Sequence, residues 1–389
     1  MSFEVPPGAV SNLPFQYLSR RVDADVWRYL ALPLTAVLTT VLALVTAAQA
    51  DVPFRDPDGV LGRRVVLLFL GVGVCWAIDV VPRAGKRCGW EVAGMPDAMR
   101  AVVRERWNRR RTLAVGTGVV SFYVTYVAYR NIKSFLPLLA GPTVDFELLA
   151  LDRSLTFGYD PASLLHTLLG TGIAAHLLSS VYVLYLVIVP ISVGFALVWS
   201  TNLAIGAWYV TALSLNWLLG ALSYYVLPSL GPAFVLPSLF ADLPGTGAGK
   251  LQEVLLDGRH EFLAAPLASG KVQSIAAFAS LHVSIVFTAA LVAHLLRLPR
   301  WVRISLWSFL VLTFLSTVYF GWHYIIDDFA GLVIGALAVW LAYVLTRPRG
   351  IRLSPASIGA GVSLPGRSWW GSAGAAMRQR RWRSNQPPR

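Results

Sequence analysis

The chain has 389 residues, 56% of them hydrophobic and only 14% charged. That balance excludes an ordinary soluble enzyme and indicates an all-α, polytopic membrane helical bundle. A net charge of +13 does not indicate nucleic acid as a partner, because the Lys and Arg residues lie between apolar runs and read as topology signals. Two cysteines, Cys75 inside an apolar run and Cys88 in a basic loop, make neither a disulfide framework nor a metal site.

Crossing the hydrocarbon layer takes about 20 apolar residues in a helix. The sequence therefore predicts about eight spans, at roughly 28–50, 64–82, 112–130, 173–198, 205–228, 280–298, 302–321 and 324–346. The first follows Arg20 and Arg21 and is too long for the core of a secretory signal. Asp79, late in the second, is expected to meet basic residues of the next loop. Residues 145–170 are apolar but broken by Glu147, Asp152, Arg153, Gly158 and Pro161. They predict short interfacial or re-entrant helices, with Arg153 pairing to its neighbour Asp152. Pro190 and Asn216, inside the fourth and fifth spans, predict a kink and a helix–helix hydrogen bond. Residues 271–279 lead into the sixth span either as helix or as a re-entrant approach. The expected organisation is a two-span extension over 1–111, a six-span core over 112–346 and a basic tail over 347–389 with the composition of a disordered segment.

Arg83, Lys86, Arg87 and six further arginines through Arg111 follow the second span, and Arg297, Arg300 and Arg303 follow the sixth. The segment from Arg347 to Arg389 holds nine arginines and no acid. Eight spans put all three groups on one side, which the positive-inside tendency assigns to the cytoplasm. The chain then reads as a multi-pass protein of the cell membrane with both termini cytoplasmic. The starts of spans four, six and eight face the extracytoplasmic side, and so do the ends of three, five and seven.

Chemistry-bearing residues collect on that side. His323 and Asp327 are four apart and share a face of a helix opening near Tyr324. An aspartate at the edge of an apolar helix is costly without a partner. A carboxylate on one ring nitrogen would fix the tautomer of His323 and leave the other nitrogen as base or nucleophile. A structural Asp–His tie between helix ends is the plain alternative. Asp328 points about 100° away on the same helix, so Asp327 is preferred. Ser280 suits the N-cap of the sixth span, whose N–H groups at 281–283 would favour an anion. His282 would then stand beside that anion, able to protonate a leaving oxygen. No carboxylate cluster is present to hold a metal, and no cofactor is expected.

Phe278-Ala279-Ser280-Leu281-His282 is similar to the Phe-Pro-Ser-Leu-His motif in one branch of the type 2 phosphatidic acid phosphatase superfamily, the branch that contains inositol phosphorylceramide synthases. Ala279 replaces the proline. Ser316-Thr317, five residues, His323, three residues and Asp327 match the family's third motif in spacing, with Thr317 in place of arginine. Tyr224 to Pro232 (YYVLPSLGP) resembles the branch's degenerate first motif, in which Tyr224 and Gly231-Pro232 stand where the phosphatases have lysine and Arg-Pro. The resemblance covers the chain from about residue 112 to the last span. It implies a six-helix phosphatase-like core in which His323 attacks phosphorus and becomes a phosphohistidine. Asp327 orients it, and His282 protonates the departing alkoxide and later deprotonates the acceptor. Phosphate contacts are expected from Ser280, Ser316, Thr317 and Tyr224. Replacement cations would be Arg130 and Lys133, with Lys271 as a further one.

The implied activity is phosphotransfer from a lipid-linked phosphate ester at the extracytoplasmic face, with a membrane lipid as donor and an alcohol, a lipid or water as acceptor. A phosphodiester such as a phosphoinositol lipid carries one charge and suits a cation-poor site. Hydrolysis of a lipid or polyprenyl phosphate is the alternative with the same residues. A transporter using His323, Asp327 and His282 as a proton relay, or an inactive scaffold, lies outside that chemistry.

Overall fold

The computed structural model describes residues 15–55, 65–200, 202–270 and 272–348, with side chains from 29 in the first stretch and from 70 in the second. Lys271 and the tail beyond 348 lie outside the described residues. Among the described residues all regular structure is helical. In chain order these are α1 (Phe15–Ala50), α2 (Val65–Arg87), α3 (Met95–Arg106), α4 (Arg109–Leu139), α5 (Asp145–Leu155), α6 (Pro161–Leu169) and α7 (Ile173–Gly194, extended by a π-helical turn at Phe195–Trp199). Then come α8 (Leu203–Val226), α9 (Pro232–Val235), α10 (Gly247–Ala264), α11 (Leu281–Leu295), α12 (Arg300–Tyr319) and α13 (Ile325–Thr346).

Among the described residues six helices are long and apolar enough to cross a membrane: α1 over Tyr29–Ala50, α4, α7 with its π turn, α8, α12 and α13. The other two expected spans fall on α2 and on α11, which has only 15 residues. The approach to α11 is extended rather than helical, so residues 272–280 run into the bundle as an irregular strip. Such backbone is tolerated at membrane depth only when protein surrounds it, and Val272, Gln273, Ile275, Ala276, Ala277, Ala279 and Ser280 are all buried. The third span is longer than expected. α4 continues to Leu139, which sets Arg130 and Lys133 within a helix rather than at its end. Short amphipathic α3 and α10 were not foreseen, because apolar run length does not register them.

α8 is the central helix: 89% of its most apolar window is buried, against 44% or less in the other five spanning helices. Its start is capped by Asn202, whose side chain accepts from Ala204 N and Ile205 N. Asn216 makes the expected interhelical bond, donating to Thr288 Oγ1 at 2.9 Å and accepting from Ser284 of the same neighbour, α11. α13 lies close against α11 because Gly331 and Gly335 have no side chain to hold them apart. A methyl at Gly331 would collide with the carbonyl oxygen of Ser280. α1 packs along α4, α8 and α13.

The bundle has two differently built ends. At one, α11 and α13 begin beside the ends of α4, α8 and α12: Ser280 N donates to Asp327 O at 2.9 Å, and Lys133 Nζ to Ala276 O at 3.4 Å. At the other, Asp79 is fully buried and accepts from Arg83 Nη1 (2.5 Å), Arg106 Nε (2.7 Å) and Trp107 Nε1 (3.0 Å). The meeting of Asp79 with loop cations is thus as expected. Arg106 and Arg111 also donate to Trp199 O (2.9 Å) and Ser200 O (2.8 Å), closing the carbonyl end of α7.

Candidate active site

His323 lies in the link between α12 and α13 and is 4% exposed. Its Nδ1 is 2.9 Å from the carbonyl oxygen of Ala277. A carbonyl can only accept, so Nδ1 carries the hydrogen and Nε2 keeps its lone pair. That lone pair faces Nδ1 of His282 at 3.3 Å. His282 Nδ1 must then be the donor, and a proton is already held between the rings. Burial drives the His323 imidazole well below its usual range, and the neighbouring His282 and Lys133 add to the effect. The ring is therefore neutral, as a nucleophile needs to be.

Asp327 does not hold the His323 tautomer as expected. Its Oδ2 is 3.6 Å from His323 Nδ1, too long for a hydrogen bond. The Ala277 carbonyl, and not Asp327, sets the tautomer. Oδ2 instead accepts from Tyr324 N at 3.0 Å, so this residue folds the first turn of α13 under His323. The reason is geometric: His323 precedes the helix, so the four-residue spacing does not run through helical backbone as the i, i+4 argument assumed.

His282 is the second residue of α11. Ser280 caps that helix as expected, accepting from Val283 N at 3.4 Å. The rings of Tyr182 and Tyr185, both from α7, lie 4.6 and 4.5 Å from the His282 ring, and Trp322 stacks on Tyr182 at 4.9 Å. Nothing in the sequence marks these tyrosines apart from other aromatics of an apolar helix.

The expected phosphate contacts divide into two groups. Lys133 and Tyr224 are at the site: Lys133 Nζ stands 4.8 Å over the Tyr224 ring, whose hydroxyl lies 3.4 Å from that of Tyr129. The Ser316 and Thr317 hydroxyls are engaged with neighbouring helices. Ser316 Oγ donates to Leu178 O at 2.8 Å, fastening α12 to α7, and Thr317 Oγ1 lies 2.8 Å from Asp328 Oδ2, fastening α12 to α13. Ser280 also bonds Asp328 through its hydroxyl. Buried hydroxyls between helices must find partners, and these found helix neighbours. Arg130 turns back along α4, donating to Tyr126 OH at 2.9 Å.

Two carboxylates prove central to the architecture: Asp152, which the sequence presents only as an interruption, and Asp145, which it does not single out. Asp145 Oδ1 accepts from Leu230 N (2.9 Å), Gly231 N (3.0 Å) and Tyr324 OH (3.0 Å). Asp152 accepts from Ile325 N (2.8 Å) and Ile326 N (3.2 Å). Arg153 consequently does not pair with Asp152. Successive helical residues point about 100° apart, and with Asp152 turned inward Arg153 meets Asp160 instead, at 2.8 Å. Burial pushes the Asp152 carboxyl up to about 6, against the opposing pull of the two N–H groups.

Among the described residues no group of three or more His, Cys, Asp or Glu is arranged to hold a metal. A family model described as the PAP2 superfamily matches residues 146–341, just over half of the chain, from the first turn of α5 to the last turns of α13. No curated protein and no solved structure matches. With both histidines, α5 and the whole apolar core from α7 onward inside the matched region, the chain belongs to the PAP2 superfamily and is a phosphatidic acid phosphatase-like membrane enzyme.

Proposed function

We propose that this enzyme transfers a phosphoryl-linked group from a lipid phosphate ester to an alcohol through a phosphohistidine on His323. The observation that carries the reading is the ring pair, with His323 Nδ1 tied to a carbonyl and Nε2 facing the His282 proton. In the first step the Nε2 lone pair forms the N–P bond and the P–O bond to the lipid alcohol breaks. His282, carrying a proton on both ring nitrogens once the anionic phosphate is bound, gives its Nδ1 proton to the departing oxygen and is left as a neutral imidazole. In the second step His282 removes the acceptor's hydroxyl proton, the new O–P bond forms and N–P breaks. Two-step transfer of this kind needs a nucleophile and an acid on opposite sides of phosphorus. Asp327, 3.6 Å from Nδ1, offsets the positive charge of the phosphohistidine. Lys133, whose ammonium lies 4.8 Å over the Tyr224 ring, would take the phosphoryl oxygens.

An attacking nitrogen stands about 3–3.5 Å from phosphorus, and the acid must reach the leaving oxygen beyond it. The rings at 3.3 Å must part to admit a phosphoryl group. With the motif positions Tyr224, Gly231 and Thr317 all uncharged, a monoanionic phosphodiester is favoured over a dianionic monoester, and a phosphoinositol lipid fits that description. The basic loops gather at the opposite end of the bundle from the histidines, which supports an extracytoplasmic active site with cytoplasmic termini.

Labelled phosphodiester and phosphomonoester lipids, incubated with the enzyme in bilayer discs with and without alcohol acceptors, test the proposal. The expected result is label transferred to an alcohol, with an acid-labile phosphoenzyme trapped at His323. Release of free phosphate at the same rate with or without acceptor would make the enzyme a lipid or polyprenyl phosphate hydrolase instead.

A further inference from the structure

His323 belongs to a short link, so its ring can be no better placed than the helix start that follows it. The first N–H groups of any helix lack partners within it. At α13 the preceding residue is Tyr324, which has no short side-chain oxygen to cap them. The acceptor comes from 173 residues upstream, where Asp152 takes both Ile325 N and Ile326 N. Seven residues before Asp152, two turns back on the same face of α5, Asp145 takes Tyr324 OH together with the N–H groups of Leu230 and Gly231. Both carboxylates are almost fully buried, at 1% and 2% exposure. The other side of α5 carries exposed Phe146, Leu151 and Leu155. This helix turns Asp145 and Asp152 to the protein together with Leu148 and Leu149, and leaves Glu147 exposed beside the outward apolar residues.

We propose that Asp152, with Asp145 behind it, is a positioning residue for the nucleophile. The two α5 carboxylates hold the start of α13 so that Nε2 of His323 faces His282. A single carboxylate satisfies two backbone donors at once, which an amide cannot do without turning its own N–H₂ toward one of them. The inference rests on the phosphohistidine reading above.

Asp152→Asn and Asp152→Ala, purified in bilayer discs, test it through kcat, KM, the rate of phosphoenzyme formation in a single turnover and the thermal midpoint. Asp152→Asn should lower kcat and the phosphoenzyme rate about tenfold to a hundredfold, as expected for a reactive atom displaced by a fraction of an ångström to an ångström. KM and the thermal midpoint should hold. A folded Asp152→Asn enzyme with wild-type kcat, or a loss matched by an equal fall in folded protein, overturns the proposal. Should neither variant fold, Tyr324→Phe removes one Asp145 contact from the same clamp, and full kcat in that variant overturns it equally. Absence of phosphoenzyme in the wild type would instead strike the parent reading, whereas a wild type that phosphorylates normally isolates the clamp as the failed element.

Discussion

At the start of α13 backbone N–H groups are received by carboxylates, whereas at the end of α7 backbone carbonyls are received by guanidiniums. The signs are opposite because a helix is partly positive at its first turn and partly negative at its last. The two ends differ in what remains after those needs are met. At the Asp79 end, acid and bases neutralise one another, and the product is a lock that joins α2 and the α3–α4 junction to α7. At the histidine end the acids are taken up by backbone N–H groups and by the hydroxyls of Tyr324, Thr317 and Ser280, and both imidazoles are left without a charged hydrogen-bond partner, facing each other. On the proposed mechanism the reacting pair stands where charge pairing has been withheld.

Variants at the two ends should therefore fail in different ways. The largest effect is expected at His323→Ala, which removes the nucleophile and should reduce lipid turnover to background with no phosphoenzyme. His282→Ala removes the acid–base partner and should cost about 10²–10⁴-fold in kcat, and Asp327→Asn should leave a trace of activity. Wild-type rates in either histidine variant would dissolve the distinction between the ends. Asp79→Ala should behave in the opposite manner. Leaving Arg106 and its neighbours without their buried acid should destabilise the fold by about 3–5 kcal/mol, seen as a lower unfolding midpoint, while the folded fraction keeps its specific activity.

The pH dependence sharpens the contrast further. His323 has its folded pKa lowered, so its contribution to stability is present above its unfolded value near 6.5 and is lost as pH falls through the lower folded value. Activity should accordingly persist below pH 6.5, and an acid limb at the ordinary histidine value would contradict a buried neutral ring. Asp152 has its folded pKa raised from 3.8 to about 6, so the stability it contributes is present below 3.8 and lost as pH rises through about 6. Asp152→Asn should therefore leave the unfolding midpoint unchanged or slightly higher at pH 7.5, measured by dye-free thermal scanning. The smallest effect is expected at Arg130→Gln. Its guanidinium is directed to Tyr126, so kcat/KM should change by less than at Lys133→Met, where the cation at the site is removed.

Much of the molecule is readable without coordinates. Apolar run length locates the spanning helices, since the bilayer core sets how many apolar residues a crossing requires. His282 and His323 are legible as a pair because their separate spacings put them at the same membrane face, and Ser280 is recognisable as a cap. The misreadings have two sources. Arg153 and Asp327 were paired by local spacing, and Ser316 and Thr317 were placed at phosphate by the family resemblance; the partners in the structure are Asp160, the Tyr324 backbone, Leu178 and Asp328.

By itself, then, the sequence determined an all-helical membrane bundle, its apolar segments and the two histidines that the structure brings together. Composition and periodicity report directly on burial in lipid, and a motif carries its own chemistry. Only the tertiary structure decided which acceptor holds His323 Nδ1, which nitrogen faces His282 and which carboxylates hold the start of α13. Those choices are made by buried donors and acceptors competing for the nearest partner, and the winner in each case, Ala277, His282, Asp145 or Asp152, is brought close by the packing of helices remote in the chain.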